Sequence, residues 1–433
     1  MAWAVLLVSV FVLVFSGLWL AIALGVSGWI VYCFLAHGAQ ATIASAAWHS
    51  MQMYSLVAVS CFILMGQLIL RSGVSERVYG SISPLMEKIP GSLLHSNIVI
   101  CALFASVFGS SAATAAVVGS GAFPILRARH YDRGMTLGTV AAGGTLGIMI
   151  PPSAGFIIYG SLTKVSIGAL FAAGIIPGIM LAIMFSIYVF IKSSINKQIA
   201  PRTEQAVSLT ASLKMAIGIW PVILLIIVVL VPILAGWCTA TESSGFGVFG
   251  SLIMGKLYGN LTNQSIIESV KETTHTFVML MFVVAGAMIL ANSAALIGLP
   301  RQLTLVIGKL GVSPLVIMLG LILMYLALGC LFDGISFLVM TIPFVFPIIQ
   351  ELGYNTVWFG VLMVLLIEIG QLTPPVGINL YVIQAIAGKD TLMGHVLKGV
   401  WPFFYILLIG LVFLLAFPKI ATFMPQLLGY NIR

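Results

Sequence analysis

The chain has 433 residues, of which 61% are hydrophobic and only 7% are charged, and its net charge at pH 7 is +8. A chain with so few charged side chains cannot form the polar surface of a water-soluble protein. The composition therefore excludes a soluble protein and indicates an integral membrane protein. The basic residues lie in short loops between apolar segments, as the positive-inside rule expects. The charge therefore reports topology and not a nucleic-acid partner.

The apolar segments approach helical spanning length, which predicts membrane helices and not the ~10-residue alternating strands of an outer-membrane barrel. They lie at about 2–24, 25–37, 51–70, 97–126, 134–162, 166–191, 214–237, 239–255, 273–294, 313–350, 356–387 and 397–417. The first is too long, and lacks the basic start, for a cleaved signal peptide, so we interpret it as the first span. We predict an all-α polytopic membrane protein in which residues 1–433 form a single integral membrane domain.

The segment 97–126 predicts a hairpin and not a through-span. Basic residues flank it on both sides, namely Arg71, Arg77 and Lys88 before it and Arg127, Arg129 and Arg133 after it. Both of its ends should therefore be cytoplasmic. Two full spans need ~20 residues each, more than the segment offers, so we expect a re-entrant hairpin that turns at Gly109-Ser110-Ser111.

After this hairpin the chain crosses outward and returns to its longest polar run. That run is placed in the cytoplasm by four basic residues, Lys192, Lys197, Arg202 and Lys214. Three further crossings follow, and the tract from Thr239 to Gly245 opens one of them with a Thr or Ser cap and an acidic first turn, which is ordinary helix-start chemistry. Segment 313–350 is then approached from outside and should form a second, inverted hairpin, although its length alone would also allow two full spans.

A sequence repeat supports the second hairpin. The first copy contains Gly109-Ser110-Ser111, Phe123-Pro124-Ile125, Tyr131, Gly147 and Pro151-Pro152, and the second contains Asp333-Gly334, Phe346-Pro347-Ile348, Tyr354, Gly370 and Pro374-Pro375, with Pro374 following Pro151 by 223 residues. We predict two inverted repeats, 51–191 and 273–417, each with a re-entrant helical hairpin (about 97–126 and about 313–350) and a helix broken at Pro-Pro. Such repeats build the midplane binding sites of secondary transporters.

Polar residues at the two hairpin turns are candidates for binding ions. Ser110 and Ser111 can cap a helix whose free backbone N–H groups face an anion, while the arm that ends there offers carbonyl oxygens to a cation. Close packing of small residues is the alternative interpretation. Asp333, which aligns with Ser110, has no basic neighbour in sequence, and such a carboxylate in a membrane marks an ion or proton site unless it is paired. Glu368 is either a buried brace to a hairpin or a functional group.

The two Pro-Pro elements cannot be continuous helix. Two adjacent prolines remove two backbone donors and push the preceding residue to an extended conformation, which frees the carbonyls near residues 147 to 150 and 370 to 373. In a membrane interior those carbonyls need a partner, and a bound Na+ would be one. A simple kink is the alternative interpretation.

Several motifs together resemble the large membrane subunit of tripartite ATP-independent periplasmic (TRAP) transporters. They are Phe62 to Gly66, Ser72-Gly73, Gly144 to Ser153, Tyr159-Gly160, Ser166 to Phe171, Thr241-Glu242, Phe359-Gly360 and Glu368 to Leu380. The resemblance covers essentially the whole chain. The sequence departs from it at Leu366, where family members often have Asn, and at Ala58-Val59-Ser60, which replaces a common Ile-Pro-Leu.

The resemblance implies a Na+-coupled importer of organic acids, such as C4-dicarboxylates or sialic acid, in the bacterial inner membrane. A periplasmic substrate-binding protein would deliver the organic anion to a small four-helix membrane subunit and this large one, with both partners as separate chains. The two hairpins and broken helices would form a transport domain that moves, elevator-like, against a scaffold within the membrane lipid.

On this interpretation we predict two overlapping sets of site residues. The organic anion would contact Ser110, Ser111, Ser153 and Asn379. At least two Na+ ions would be held by Ser110, Thr114, Gly147, Pro151, Gly329, Asp333, Gly370, Thr373, Pro374 and Val376.

Two other functions compete with the transporter. A passive anion channel on the same repeat would need no coupling ion, so Na+ dependence of uptake distinguishes it. An intramembrane aspartyl protease is disfavoured because Asp333 has no second aspartate in a span to pair with. The sequence also carries no H-E-x-x-H, P-loop or G-x-S-x-G motif, and we therefore predict that the protein is not an enzyme.

Overall fold

The computed structural model describes residues 2–34, 41–201, 215, 217–309, 311–388 and 391–432. Arg202, Lys214 and residues 35–37 of the second predicted segment lie outside this part. The regular elements of the described ranges are α-helices and one 3-10 turn at Ile217–Ile219. This confirms the all-α prediction.

The first ten helices cover both the N-terminal segments and the first repeat. They are α1 (Ala2–Phe15), α2 (Leu20–Phe34), α3 (Ala41–Met51), α4 (Ser55–Arg71), α5 (Val74–Met86), α6 (Leu93–Phe108), α7 (Ser111–Ala128), α8 (Arg133–Met149), α9 (Ala154–Thr163) and α10 (Ile167–Ile195).

The other ten helices cover the connecting crossings and the second repeat. They are α11 (Trp220–Leu234), α12 (Ala240–Leu257), α13 (Asn263–Leu296), α14 (Leu299–Lys309), α15 (Pro314–Gly329), α16 (Gly334–Glu351), α17 (Thr356–Gln371), α18 (Ile378–Ala387), α19 (Met393–Ala416) and α20 (Lys419–Leu427).

Six helical stretches within the described ranges are long and apolar enough to cross a membrane by length and composition. They are Arg133–Thr163, which joins α8 and α9 across their break, Ile167–Ile195, Ile217–Leu234, Asn263–Leu296, Gly334–Glu351 and Met393–Ala416. The bent pair Thr42–Met51 and Ser55–Arg71 adds a seventh.

Both predicted hairpins break at or beside the predicted residues. Gly109 is the C-cap of α6, and its φ of 57° lies in the left-handed region that glycine favours. Ser110 is the N-cap of α7, and its side chain accepts a hydrogen bond from Ala113 N at 3.5 Å. In the second hairpin α15 ends at Gly329, and α16 begins after its N-cap residue, Asp333.

The Pro-Pro elements interrupt helices where the sequence predicts. The first break separates α8 from α9 and the second separates α17 from α18, and both Pro-Pro peptide bonds are cis. Because proline has no N–H and excludes the helical conformation from the residue before it, neither helix can continue through the pair. Each interrupted helix therefore ends in the middle of the protein and starts again beyond the prolines.

Helix α19 shows where the loops after the two hairpins lie. Near its start, Gly399 is so close to Gly134 that an added Cβ would lie 3.0 Å from the Gly134 Cα. Near its end, the Leu414 carbonyl accepts a hydrogen bond from Trp358 Nε1 at 2.9 Å. These points are 15 residues apart on the helix, or about 22 Å. The segments that follow the two hairpins thus lie near opposite ends of α19.

The second arm of each hairpin packs on a helix of the other repeat. The second arm of the first hairpin, α7, packs on α18 of the second repeat, and the second arm of the other hairpin, α16, packs on α9 of the first. Helices α6 to α10 and α15 to α20 pack chiefly among themselves, while α1 to α4 and α11 to α13 form a second group with α2 and α13 in close contact.

Some predicted boundaries are wrong. The first apolar segment, 2–24, is not one helix, because Gly17 adopts a φ of 82° and ends α1 while the Ser16 hydroxyl bonds back to the Leu13 carbonyl at 2.7 Å. Helix α5 falls in a stretch whose charges we assigned to a loop, and α13 begins ten residues before segment 273–294. The predicted start of α12 is confirmed by a capping box between Thr239 and Glu242.

Candidate functional site

The tip of the first hairpin lies against the first Pro-Pro break. A Cβ added to Gly109 would lie 3.0 Å from the Pro152 carbonyl oxygen. A Cβ added to Gly147, one turn before the break, would lie 2.7 Å from the Ser110 carbonyl oxygen and 2.8 Å from Thr114 Oγ1. Only glycine allows backbones to approach this closely. The structure therefore brings together the predicted cation ligands Ser110, Thr114 and Gly147.

The tip of the second hairpin meets the second break in a similar way. The Cys330 carbonyl oxygen accepts a hydrogen bond from Val376 N at 3.2 Å. A Cβ added to Gly370 would lie 2.6 Å from the Gly329 carbonyl oxygen, so the backbones of α15 and α17 touch where both residues are glycine. Three predicted residues of this half, Gly329, Gly370 and Val376, are thus clustered at one junction.

Both tips meet on one face of α17. Ser111, at the start of α7, donates a hydrogen bond to Glu368 Oε1, and both side chains are only 1% exposed. Gly334, at the start of α16, lies against Gln371, whose Nε2 would be 2.6 Å from an added Cβ. Residues three apart on a helix are neighbours, so the starts of α7 and α16 are separated by about one helical turn along α17.

The carboxylate of Asp333 has hydrogen-bond partners at the start of its own helix, the paired case that the sequence left open. It caps α16 by accepting hydrogen bonds from Ser336 N at 3.2 Å and Ser336 Oγ at 3.1 Å. Its side chain is exposed rather than buried. The sequence showed no basic neighbour, but an N-cap needs none, because backbone N–H groups at a helix start attract a carboxylate.

The carbonyls beside the two breaks differ. In an α-helix a carbonyl accepts a hydrogen bond from the N–H of the residue four positions later. For Gly147 and Ile148 those residues are Pro151 and Pro152, which have no N–H, so these two carbonyls lack their helical donor. The carbonyl of Gly370 instead accepts a hydrogen bond from Thr373 N at 3.0 Å, because the end of α17 tightens into a 3-10 turn. The prediction that this second carbonyl is freed is therefore wrong. Thr373 also uses its hydroxyl, which donates to the Ile369 carbonyl at 2.6 Å.

The predicted anion-binding residues have different surroundings. Ser110 and Ser153 cap α7 and α9, and Ser111 is bonded to Glu368. Asn379, near the start of α18, is fully buried, and neither its Oδ1 nor its Nδ2 has a hydrogen-bond partner in the described part of the chain. Buried amides without partners are rare, so Asn379 is the residue of this set whose polar atoms most need a ligand or a water.

The remaining predicted cation ligands differ in how far their side chains are exposed to the surface. Pro151 is buried with the first tip, Pro374 is half-buried, and Val376 is exposed at the second tip. Among the described residues no group of three His, Cys, Asp or Glu side chains is arranged to hold a metal ion. A cation at either tip would therefore depend on carbonyl and hydroxyl oxygens, the ligands that broken helices offer.

Comparison with known proteins identifies the family. Residues 7–420 match the family model described as "Tripartite ATP-independent periplasmic transporter, DctM component". The chain belongs to the TRAP transporter family. Within it, this TRAP permease is 30% identical over 411 residues to the C4-dicarboxylate TRAP transporter large permease protein DctM of Pseudomonas aeruginosa, covering 94% of this chain and 95% of that one.

Other relatives are named after different substrates. The permease is 32% identical over 384 residues to the sialic acid TRAP transporter large permease protein SiaM of Vibrio cholerae, covering 87% of this chain and 88% of the relative. It is 29% identical over 388 residues to the isethionate TRAP transporter permease protein DctMQ of Oleidesulfovibrio alaskensis, covering 88% of this chain and 60% of that longer one. All three are transporter proteins and not enzymes.

Among solved structures, the Alcanivorax borkumensis YdaH transporter matches with a TM-score of 0.60 over 87% of each chain. At 13% identity this likeness concerns the fold alone. Together with the apolar helices, family membership places the TRAP permease in the bacterial inner membrane as a multi-pass protein.

Sequence reasoning missed two features of the permease's site. The role of Glu368 stayed open between brace and functional group, and its bond to Ser111 makes it at least a brace between the repeats. Gln371 was not considered, although it is the side chain that contacts the second hairpin at Gly334. Its position three residues after Glu368, on the same helical face, was the available signal.

Proposed function

We propose that this TRAP permease couples inward movement of Na+ to the uptake of an organic acid delivered by a periplasmic binding protein. A small membrane subunit would complete the membrane complex. The proposal rests on one observation, namely that each hairpin tip lies against the Pro-Pro break of its own repeat. The first tip meets its break through the Gly109 carbonyl and Ala154 N at 3.5 Å, and the second through the Cys330 carbonyl and Val376 N at 3.2 Å.

At each junction, helix starts and helix ends converge. Helix starts present free N–H groups and a positive dipole end to an anion, and helix ends present carbonyl oxygens to a cation. Na+ would bind beside Thr114 and the Gly147 carbonyl in the first half, and beside Asp333 in the second. The organic anion would lie between the starts of α7 and α16, within reach of Asn379. This assignment follows the general design of secondary transporters.

The segments after the two hairpins lie near opposite ends of α19, which supports an inverted arrangement in the membrane. Because α7 packs on α18 and α16 packs on α9, the hairpins would move together with the broken helices as one body. The group containing α2 and α13 is the natural scaffold against which this body slides. We propose an elevator movement on these grounds.

Substitution of Asp333 by asparagine tests the coupling role. Asparagine caps helices about as well as aspartate, so Asp333→Asn removes the charge while keeping the start of α16. We expect Na+-driven uptake to fall at least tenfold with normal membrane insertion, because the carboxylate is the charged ligand at the second tip. Uptake would be measured in proteoliposomes holding both membrane subunits and the binding protein. A C4-dicarboxylate, sialic acid and isethionate would serve as probes.

Asp132→Asn is the matched control, since Asp132 caps α8 in the same way, through Met135 N at 2.7 Å, away from the tips. It should leave uptake unchanged. Normal Na+ dependence in Asp333→Asn would remove this residue from the site, and equal losses in both variants would assign the effect to helix capping.

Two Na+ sites predict a specific response to ion concentration. Uptake should be sigmoidal in Na+ and, for a monocarboxylate, faster with an inside-negative potential, since two Na+ and one monoanion move one net charge worth ~2.3 kcal/mol per 100 mV. Concentrating substrate a thousandfold requires about 4.1 kcal/mol, so the Na+ gradient would supply the rest. A dicarboxylate would make the same cycle electroneutral. Uptake that persists without Na+ would instead support the passive anion channel.

A further inference from the structure

An apolar groove of about 650 Å³ runs along the surface between α6 and α10. On the α10 side it is lined by Ile179, Ile183 and Ile187, which are spaced four residues apart and are each about half exposed. Residues at this spacing share one helical face. Because α10 is one of the membrane-crossing helices, this face and the groove open to the acyl chains of the bilayer.

A polar cavity of about 310 Å³ adjoins the groove, and Ile89 lines both. The polar cavity also contains Ser92, Ser193 and Lys197. Ser193 Oγ is buried and has no hydrogen-bond partner in the described part of the chain. A buried hydroxyl without a partner is costly and indicates a missing acceptor or donor.

The charge around the polar cavity favours an anion. The Lys197 side chain is exposed, and within the described ranges it forms no ion pair. Among the described residues, none that lines either cavity is acidic. Glu87, two residues from Ile89, is already paired with Arg129 at 3.0 Å.

The dimensions match one leaflet of a membrane. Ser193 and Ile179 are 14 residues apart on α10, which corresponds to about 21 Å along the helix. One leaflet offers ~15 Å of hydrocarbon and roughly 6 Å of headgroup region. The groove therefore reaches from headgroup depth to the bilayer centre, with its polar end at the basic end of α10.

We propose that this groove binds one anionic phospholipid. An acyl chain lies against Ile179 and Ile183, and the phosphate accepts hydrogen bonds from the Ser193 hydroxyl and the Lys197 ammonium. Basic pockets at the end of membrane helices recognise phospholipid headgroups in this way. Since α6 is the first arm of a hairpin, the bound lipid contacts the part of the molecule on which the tip is mounted. The proposal is independent of the substrate and of Na+ coupling.

The test measures phosphatidylglycerol retained by the full-length chain. Protein in nanodiscs of phosphatidylcholine with a minor fraction of phosphatidylglycerol would be released and analysed by native mass spectrometry. We expect one phosphatidylglycerol per chain in the wild type. Lys197→Gln should weaken retention about fivefold, the contribution of one lysine facing an anionic lipid. Ile183→Trp should fill the groove and lower retention at least tenfold.

Matched controls separate the site from general effects. Lys256→Gln removes another exposed lysine, and Ile227→Trp enlarges a side chain that is 49% exposed on α11, against 54% for Ile183. Neither should change retention. The proposal is overturned if Lys197→Gln retains as much phosphatidylglycerol as its control, or if phosphatidylcholine is retained equally well. It is also overturned if a second protein chain covers the groove and is released by Ile183→Trp.

Discussion

Replacing Ser111 by alanine would break a side-chain hydrogen bond that joins the first hairpin tip to the second repeat. Ser111 donates to Glu368 Oε1, and Glu368 Oε2 has no partner in the described part of the chain. The substitution would therefore leave a carboxyl group that is 1% exposed with no side-chain donor among the described residues and with only its contact to the Ile148 backbone. It removes only one hydroxyl, so little packing is lost.

The cost follows from the burial of both groups. Leaving a buried acceptor unsatisfied costs about 1–3 kcal/mol. That corresponds to roughly a 5- to 150-fold change in the folding equilibrium, since every 1.4 kcal/mol is tenfold. If Glu368 is first replaced by leucine, no acceptor remains, and Ser111→Ala should then cost less than about 0.5 kcal/mol.

A double-mutant cycle measures this coupling. The wild type, Ser111→Ala, Glu368→Leu and the double variant would be unfolded by SDS titration in mixed micelles, and the four free energies of unfolding compared. Ser111→Ala combined with Thr341→Val is the control pair, because the Thr341 hydroxyl bonds to Tyr325 and shares no partner with Ser111. That control pair should be additive.

A coupling energy below about 0.5 kcal/mol between Ser111 and Glu368 would refute the reasoning, because uncoupled sites add to within that range. The bond between the repeats would then contribute nothing measurable, and the first tip would be positioned by its glycine contacts, its backbone hydrogen bond to Ala154 and the packing of α7 on α18.

Two further predictions concern topology and close packing. In a background without native cysteines, a cysteine at His130 should be labelled only from the cytoplasm and one at Gly353 only from the periplasm, and labelling of both from one side would contradict the inverted arrangement. Gly370→Ala should lower uptake severely, because its Cβ would lie 2.6 Å from the carbonyl oxygen of Gly329. The control Gly320→Ala lies on α15, the helix that carries Gly329, and its added Cβ would have no other heavy atom of the described residues within 4 Å. It should be tolerated, and equal effects of the two substitutions would show that the contact at Gly370 is not needed.

The sequence predicts features that depend on local chemistry. The turn at Gly109 needs a residue that tolerates positive φ, and the breaks at the Pro-Pro pairs need residues that lack N–H groups. Both constraints are properties of single residues, so they can be read without the fold. The capping box at Thr239 is of the same kind.

Other features depend on residues that are distant in sequence or on conflicting signals. Ser111 and Glu368 are 257 residues apart, and no local pattern pairs them. The break near Gly17 lies inside a mostly apolar run, where hydropathy averaged over a spanning length gives no sign of a turn. The carboxylate of Asp333 is a third case, because a helix cap and an ion site require the same residue type.

A chain of half this length that contained only the first hairpin and the first broken helix would leave exposed the side of α7 that packs on α18. A chain that contained only the second hairpin and the second broken helix would leave exposed the side of α16 that packs on α9. Such a chain would be stable only as a pair of copies inserted in opposite orientations, each covering the other's hairpin. Joining the two halves in one chain would fix their orientations, so that the two tips could differ in chemistry. A serine stands at the first tip and an aspartate at the corresponding place in the second.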